Sequence, residues 1–160
     1  MVNVVLNTLV ALLVSGATLS FNFKAADVQG NVVYDGAGSV VTVGKNYRME
    51  TEDILVVSDG SLKGVYQKKT DEIVLMPVGE ESGEIMDNPF ALLQNPGTDY
   101  DISVLGKDSK GIPREIVLKA KNGAVYTLTV KNCSSIPSPD PGLFVLDMQD
   151  YPNAVVTDLR

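Results

Sequence analysis

Carboxylates are the side chains here best suited to acid–base work. They gather at Glu50, Glu52 and Asp53, at Asp71 and Glu72, and at Glu80, Glu81, Glu84 and Asp87. Two carboxylates facing each other across a cleft could run glycoside hydrolysis. Each of these, however, falls in a predicted turn or at a polar strand position, where a solvated surface accounts for it. Calcium needs a spaced acidic loop closed by a bidentate Glu, and Asp108-Ser109-Lys110-Gly111 is too short for one. Ser58-Asp59-Gly60 has hairpin-turn composition, without the sequence context of a nucleophile elbow. Neither Gly36-Ala37-Gly38 nor the glycines at 79 and 83 open a helix after a parallel strand, so no phosphate cradle is formed.

The chain has no histidine. That removes the commonest general base and metal ligand, and with it Ser-His-Asp and Cys-His catalysis and most zinc sites. Cys133 is the single cysteine, so no internal disulfide can form, and no His is present to activate its thiol. The expectation is a protein without catalytic residues, metal or cofactor. It would act by binding rather than as an enzyme.

The elements that position these residues follow from hydropathy. The chain's 160 residues are 44% hydrophobic and 21% charged, with a net charge of −7. This composition fits one globular domain over residues 1–160. The acidic balance argues against nucleic acid, which requires a basic stripe. Residues 1–19 open with an apolar run. It is too short to span a bilayer, and no basic residue precedes it as in an export signal. Positions 4, 5, 9, 12 and 13 share a helical face, predicting an amphipathic helix packed on a sheet.

From residue 17 the period changes to two. Ala17, Leu19, Phe21, Phe23 and Ala25 alternate with polar residues, which predicts a half-buried strand. Strands follow over 32–43, with a bulge or bend expected at Asp35-Gly36-Ala37-Gly38, and over 47–51, 54–57, 62–66 and 73–78. After an acidic stretch at 80–87, Asn88 and Pro89 read as the cap and first position of a short helix. Further strands are expected over 100–105, 114–120, 124–130, 143–148 and 154–159.

The fold class is therefore mainly β: one open, curled antiparallel sheet, or half-barrel, of roughly eleven strands, above the usual sheet size. Short helices near the start and near 84–94 would cover its concave face and enclose an apolar cavity. Leu19, Phe21, Phe23, Tyr47, Met49, Leu55, Val57, Val65, Ile73 and Leu75 are expected to converge as its lining. The same residues could also serve as ordinary core beneath the first helix.

The order of motifs resembles the periplasmic outer-membrane lipoprotein carrier protein family (LolA-like), in particular its Bacteroidetes-type members. The resemblance runs through Tyr47-Arg48-Met49-Glu50, then Leu55-Val56-Val57-Ser58-Asp59-Gly60 followed by Val65-Tyr66. It continues through Asn88-Pro89-Phe90-Ala91-Leu92-Leu93, and through Phe144-Val145-Leu146 with Tyr151-Pro152-Asn153-Ala154-Val155-Val156-Thr157-Asp158-Leu159-Arg160. The resemblance implies an open β-barrel closed by helices, with Pro89, Phe90, Leu92 and Leu93 in the lid. It implies a periplasmic monomer whose cavity takes the acyl chains of lipoprotein or lipid cargo. Its partners would be an inner-membrane release complex and an outer-membrane acceptor. A sensor or regulatory module on the same fold is the alternative. Two features depart from the family. Its lid-latching Arg sits in a Lys-Arg-Pro turn, where this chain has Gly44-Lys45-Asn46, leaving Lys45 and Arg48 as latch candidates. Family members often carry Trp on the cavity wall, where Gly64 and Met49 stand here.

Overall fold

Period-two alternation becomes a sheet when each strand finds a neighbour, and among the described residues every strand does. A computed structural model describes residues 2–78, 93, 100–136 and 138–160. Helix α1 (Val2–Ser15) is followed by β1 (Ala17–Ala26), β2 (Val32–Val43), β3 (Asn46–Thr51), β4 (Ile54–Ser58), β5 (Leu62–Gln67) and β6 (Glu72–Pro77). Then come β7 (Tyr100–Lys107), β8 (Pro113–Ala120), β9 (Val125–Ser135) and β10 (Val155–Asp158). These form one open, mixed, ten-stranded sheet in the order β10-β6-β5-β4-β3-β2-β1-β9-β8-β7.

Three expectations are corrected. Residues 143–148 are not a strand; they lie in a strap containing two 3₁₀ helices, Pro141–Phe144 and Met148–Asp150. Phe144 and Leu146 do alternate with exposed Val145 and Asp147. Local caps win: the Asp140 carboxylate accepts from Gly142 N–H, Pro141 follows it, and Asp147 accepts from Gln149 N–H. The sheet is also not wholly antiparallel, because β10 runs parallel to β6. It is reached through the long connection after β9, and a long crossover permits the parallel direction that a hairpin forbids. Finally, the register of β1 against β2 is unbroken through Asp35–Gly38, and the irregularity falls between Ala25 and Ala26. Gly36 and Gly38 serve space rather than a bend.

Residues opposite one another in register share a face, and the sheet consequently has two distinct cores. On one face α1 lays Leu6, Leu9 and Leu13 against Leu19, Phe21, Phe23, Val40, Met49, Val56, Ile116, Leu118 and Leu128. Among the residues whose burial is described, the buried helical stripe is thus 6, 9 and 13, a spacing of three and four, with Leu12 only partly buried; the predicted positions 4 and 5 lie outside them. On the other face the strap drops Phe144 onto Leu55 and Val57, with Val41, Val43, Tyr66, Leu143, Leu146 and Tyr151 around them. Both leucines Leu9 and Leu13 are fully buried, a burial worth about 1.5–3 kcal/mol for each such side chain.

Gly16 joins α1 to β1 at φ +121°, and a Cβ there would run into the Ile136 carbonyl oxygen. The backbone is tied on both sides: Gly16 N–H donates to Leu12 O at 2.9 Å, and Ile136 N–H donates to Gly16 O at 2.9 Å. Among the described residues, no helix is long and apolar enough to cross a membrane.

Candidate apolar binding site

The α1 face of the sheet is not filled completely. Phe21, Phe23, Tyr34, Met49, Thr51, Asp53 and Ile54 line a cavity of about 120 Å³. Register explains why these residues meet. Phe21 lies opposite Gly38, Phe23 opposite Gly36, and Gly38 in turn opposite Thr51. A Cβ on Gly38 would come within 2.8 Å of Phe21 Cζ, so the glycine makes the room that the ring occupies. Phe23 extends the wall through a tilted contact with Tyr34 (5.9 Å between ring centres) and a stacked one with Tyr126 (6.1 Å). Such pairs add roughly 0.5–1.5 kcal/mol beyond area burial and hold the rings in place.

Polar groups stand at one end. Thr51 Oγ1 accepts from the backbone N–H of Asp53 and Ile54, at 3.3 and 3.2 Å, which fixes the β3–β4 turn. Lys68 Nζ clamps the same turn, donating to Glu50 Oε2 at 2.8 Å and Thr51 O at 2.7 Å. Lys69 Nζ lies 3.3 Å from Asp53 Oδ1. Glu50 and Asp53 are thus each engaged by a lysine on the β5–β6 turn.

The expected lining residues divide between the two faces. Phe21, Phe23 and Met49 line the cavity. Leu19, Tyr47 and Val65 belong to the same core but not to the cavity wall. Leu55, Val57, Ile73 and Leu75 lie on the opposite face: Leu55 is paired with Tyr66, Val57 with Gly64, Tyr66 with Ile73, and Gly64 with Leu75. The cause is legible. Ile54-Leu55-Val56-Val57 is apolar throughout because β4 is covered on both sides, and an unbroken apolar run does not tell which residue faces where. Val56, not Leu55 or Val57, is the buried residue of the α1 face.

Gly64 likewise faces the strap, with a built Cβ meeting Leu146 Cδ2 at 3.3 Å, so it stands on no wall of this cavity. Met49 does. Arg48 is not a latch on the α1 side: it sits opposite Val57, and its Nη1 donates to Leu143 O at 3.4 Å, holding the strap. Lys45 is exposed in the β2–β3 turn, its stem beside Gly60. Of the lid residues, Leu93 is helical and buried in the α1-side core. Pro89, Phe90 and Leu92 lie outside the described residues.

Tyr34, Thr51, Asp53 and Ile54 are wall residues absent from the expectation. Tyr34 was in reach of the pattern, since it keeps period two with Gly36, Gly38 and Val40. Further along this face Thr42, Tyr47, Ser58 and Lys63 lie opposite one another across β2–β5, and Thr42, Ser58 and Lys63 are buried.

No family model matches the sequence, and no curated protein matches it. Solved structures do. An uncharacterised conserved protein from Thermus thermophilus superposes with a TM-score of 0.56 at 12% identity, covering 96% of each chain. A LolA superfamily protein from Nitrosomonas europaea superposes with a TM-score of 0.54 at 10% identity, covering 91% of this chain and 97% of the other. The fold, an open mixed sheet with a helix packed on one face, is LolA-like.

Proposed function

We propose that the protein is a non-enzymatic carrier that binds acyl chains of lipoproteins or lipids on the α1 face and moves them through the periplasm. The observation that carries this reading is the apolar cavity between Phe21, Phe23, Tyr34, Met49 and Ile54, in a fold shared with a LolA superfamily protein. Each methylene moved from water into such a wall gains about 0.8 kcal/mol, so no bond need be made or broken to hold the cargo. The Bacteroidetes-type character, the release complex and acceptor as partners, and the monomeric state rest on the sequence resemblance. A cavity of about 120 Å³ is smaller than the about 300 Å³ at which ligand sites usually begin. Full loading with an acyl chain therefore requires the walls of the cavity to move apart.

Titration with a fluorescent fatty-acyl probe and with a triacylated lipopeptide tests the reading. Saturable uptake by the unaltered protein, lost in Ile54→Phe at unchanged thermal midpoint, is expected because the larger side chain fills the cavity. Absence of uptake of either ligand would sink it. The sensor alternative has no observation of its own in the structure.

A further inference from the structure

A second opening lies where β8 and β9 part. Their register ends at Glu115 opposite Thr129, although β8 begins at Pro113 and β9 continues to Ser135. Two residues cause the split. Pro113 has no N–H to offer a neighbour. Lys131 is the extra residue of a bulge, since Ser20 pairs with Asn132 and Phe21 with Val130. The resulting slot has a volume of about 360 Å³, and its lining includes Asp108, Ile112, Arg114, Val130, Lys131 and Cys133.

The lining is two-sided in chemistry. Ile112, Val130 and Cys133 belong to the α1-side core, and form an apolar floor. Arg114 and Lys131 are exposed at the rim. The rim's carboxylate, Asp108, is occupied internally: its Oδ1 accepts from Lys110 N–H at 2.8 Å and Ile112 N–H at 2.9 Å. On a chain of net charge −7, Arg114 and Lys131 outnumber the Asp108 carboxylate in the lining, leaving a local excess of positive charge over the apolar floor that draws anions. Guanidinium matches a carboxylate in two parallel hydrogen bonds, and the ammonium adds a point charge.

We propose that this slot is a second ligand site for a medium-chain amphiphile bearing a carboxylate. The head sits at Arg114 and Lys131, and the first carbons of the tail lie on Ile112 and Val130. It goes beyond the acyl cavity of Phe21 and Met49 and does not depend on it.

Cys133 supplies the readout, being the single cysteine of the chain and part of the slot's lining. Burial first, and then the charge of Asp108, push its thiol pKa up, so maleimide labelling is followed at mildly alkaline pH. At octanoate ten times its dissociation constant, labelling should slow about tenfold, the factor by which the free fraction falls. Octanol and acetate at the same concentration should protect far less. The exposed-site double variant Arg114→Gln/Lys131→Gln should lose the octanoate effect while unfolding at the same temperature. Ile54→Phe, which fills the other cavity, should keep it. Equal protection by octanol or acetate overturns the proposal, as does no protection by octanoate. So does protection that survives the double variant, or that vanishes in Ile54→Phe.

Discussion

Single atoms decide the shape of the cavity. Gly38 is placed 2.8 Å, measured from a built Cβ, from Phe21 Cζ and 3.0 Å from the Glu50 carbonyl oxygen. Gly38→Ala should cost about 1–3 kcal/mol as an overpacking change and turn the Phe21 ring into the cavity. Denaturant midpoint and acyl-probe affinity should fall together; a variant as stable and as avid as the original would contradict the role given to this glycine. Acid sensitivity is also set residue by residue. Hydrogen bonds from the backbone of Asn31 and of Leu62 hold the carboxyls of Asp27 and Asp59 below the usual range, and pairing with Arg160 lowers Asp158 to about 2. A carboxylate with a lower pKa folded than unfolded stabilises above its unfolded value, and loses that contribution as pH falls through the folded one. The thermal midpoint should therefore hold above about pH 5 and decline below about pH 4. Asp59→Asn, which keeps the turn acceptor without the charge, should decline less steeply; superimposable curves would show that Asp59 takes no part. At this scale the strand β1 was readable from its alternation alone. Gly36 and Gly38 were misread as a bend, since a sequence does not say whether a glycine serves φ or space.

Elements, rather than residues, separate the two faces. Helix α1 covers the cavity side, and the strap over 141–150 covers the other, where Tyr66 Oη donates to Asp71 Oδ1 at 2.9 Å and its ring packs on Tyr151 at 4.3 Å. Phe144→Ala should cost about 3–5 kcal/mol by emptying the outer core, seen as an earlier chemical unfolding transition. It should leave acyl-probe affinity unchanged under native conditions; a parallel loss of affinity would mean the two faces are coupled. The strap was not legible in advance, because its alternating apolar residues resemble a strand while its aspartate caps act only locally. The assignment of Leu55, Val57, Ile73 and Leu75 to the cavity failed for a related reason. In β4, buried on both faces, and in β6, whose run Ile73-Val74-Leu75-Met76 is apolar throughout, no polar residue marks the phase, whereas Phe21 and Met49, flanked by polar neighbours, lie in the cavity wall.

Over the whole molecule, the open mainly-β sheet and its covering helix were foreseeable from strand periodicity and length, and the parallel β10 was not, since direction after a long crossover is free. On the α1 face the sheet provides an apolar wall with a void in it, and enlarging that void requires the elements packed around it to move apart. The most direct measurement is methyl NMR of the intact chain titrated with a saturated fatty acid. The Met49 and Ile54 methyl signals should move saturably, while those of Leu55, Val57 and Leu146 stay in place. Shifts confined to the Leu55, Val57 and Leu146 side, or none at either face, would contradict the account.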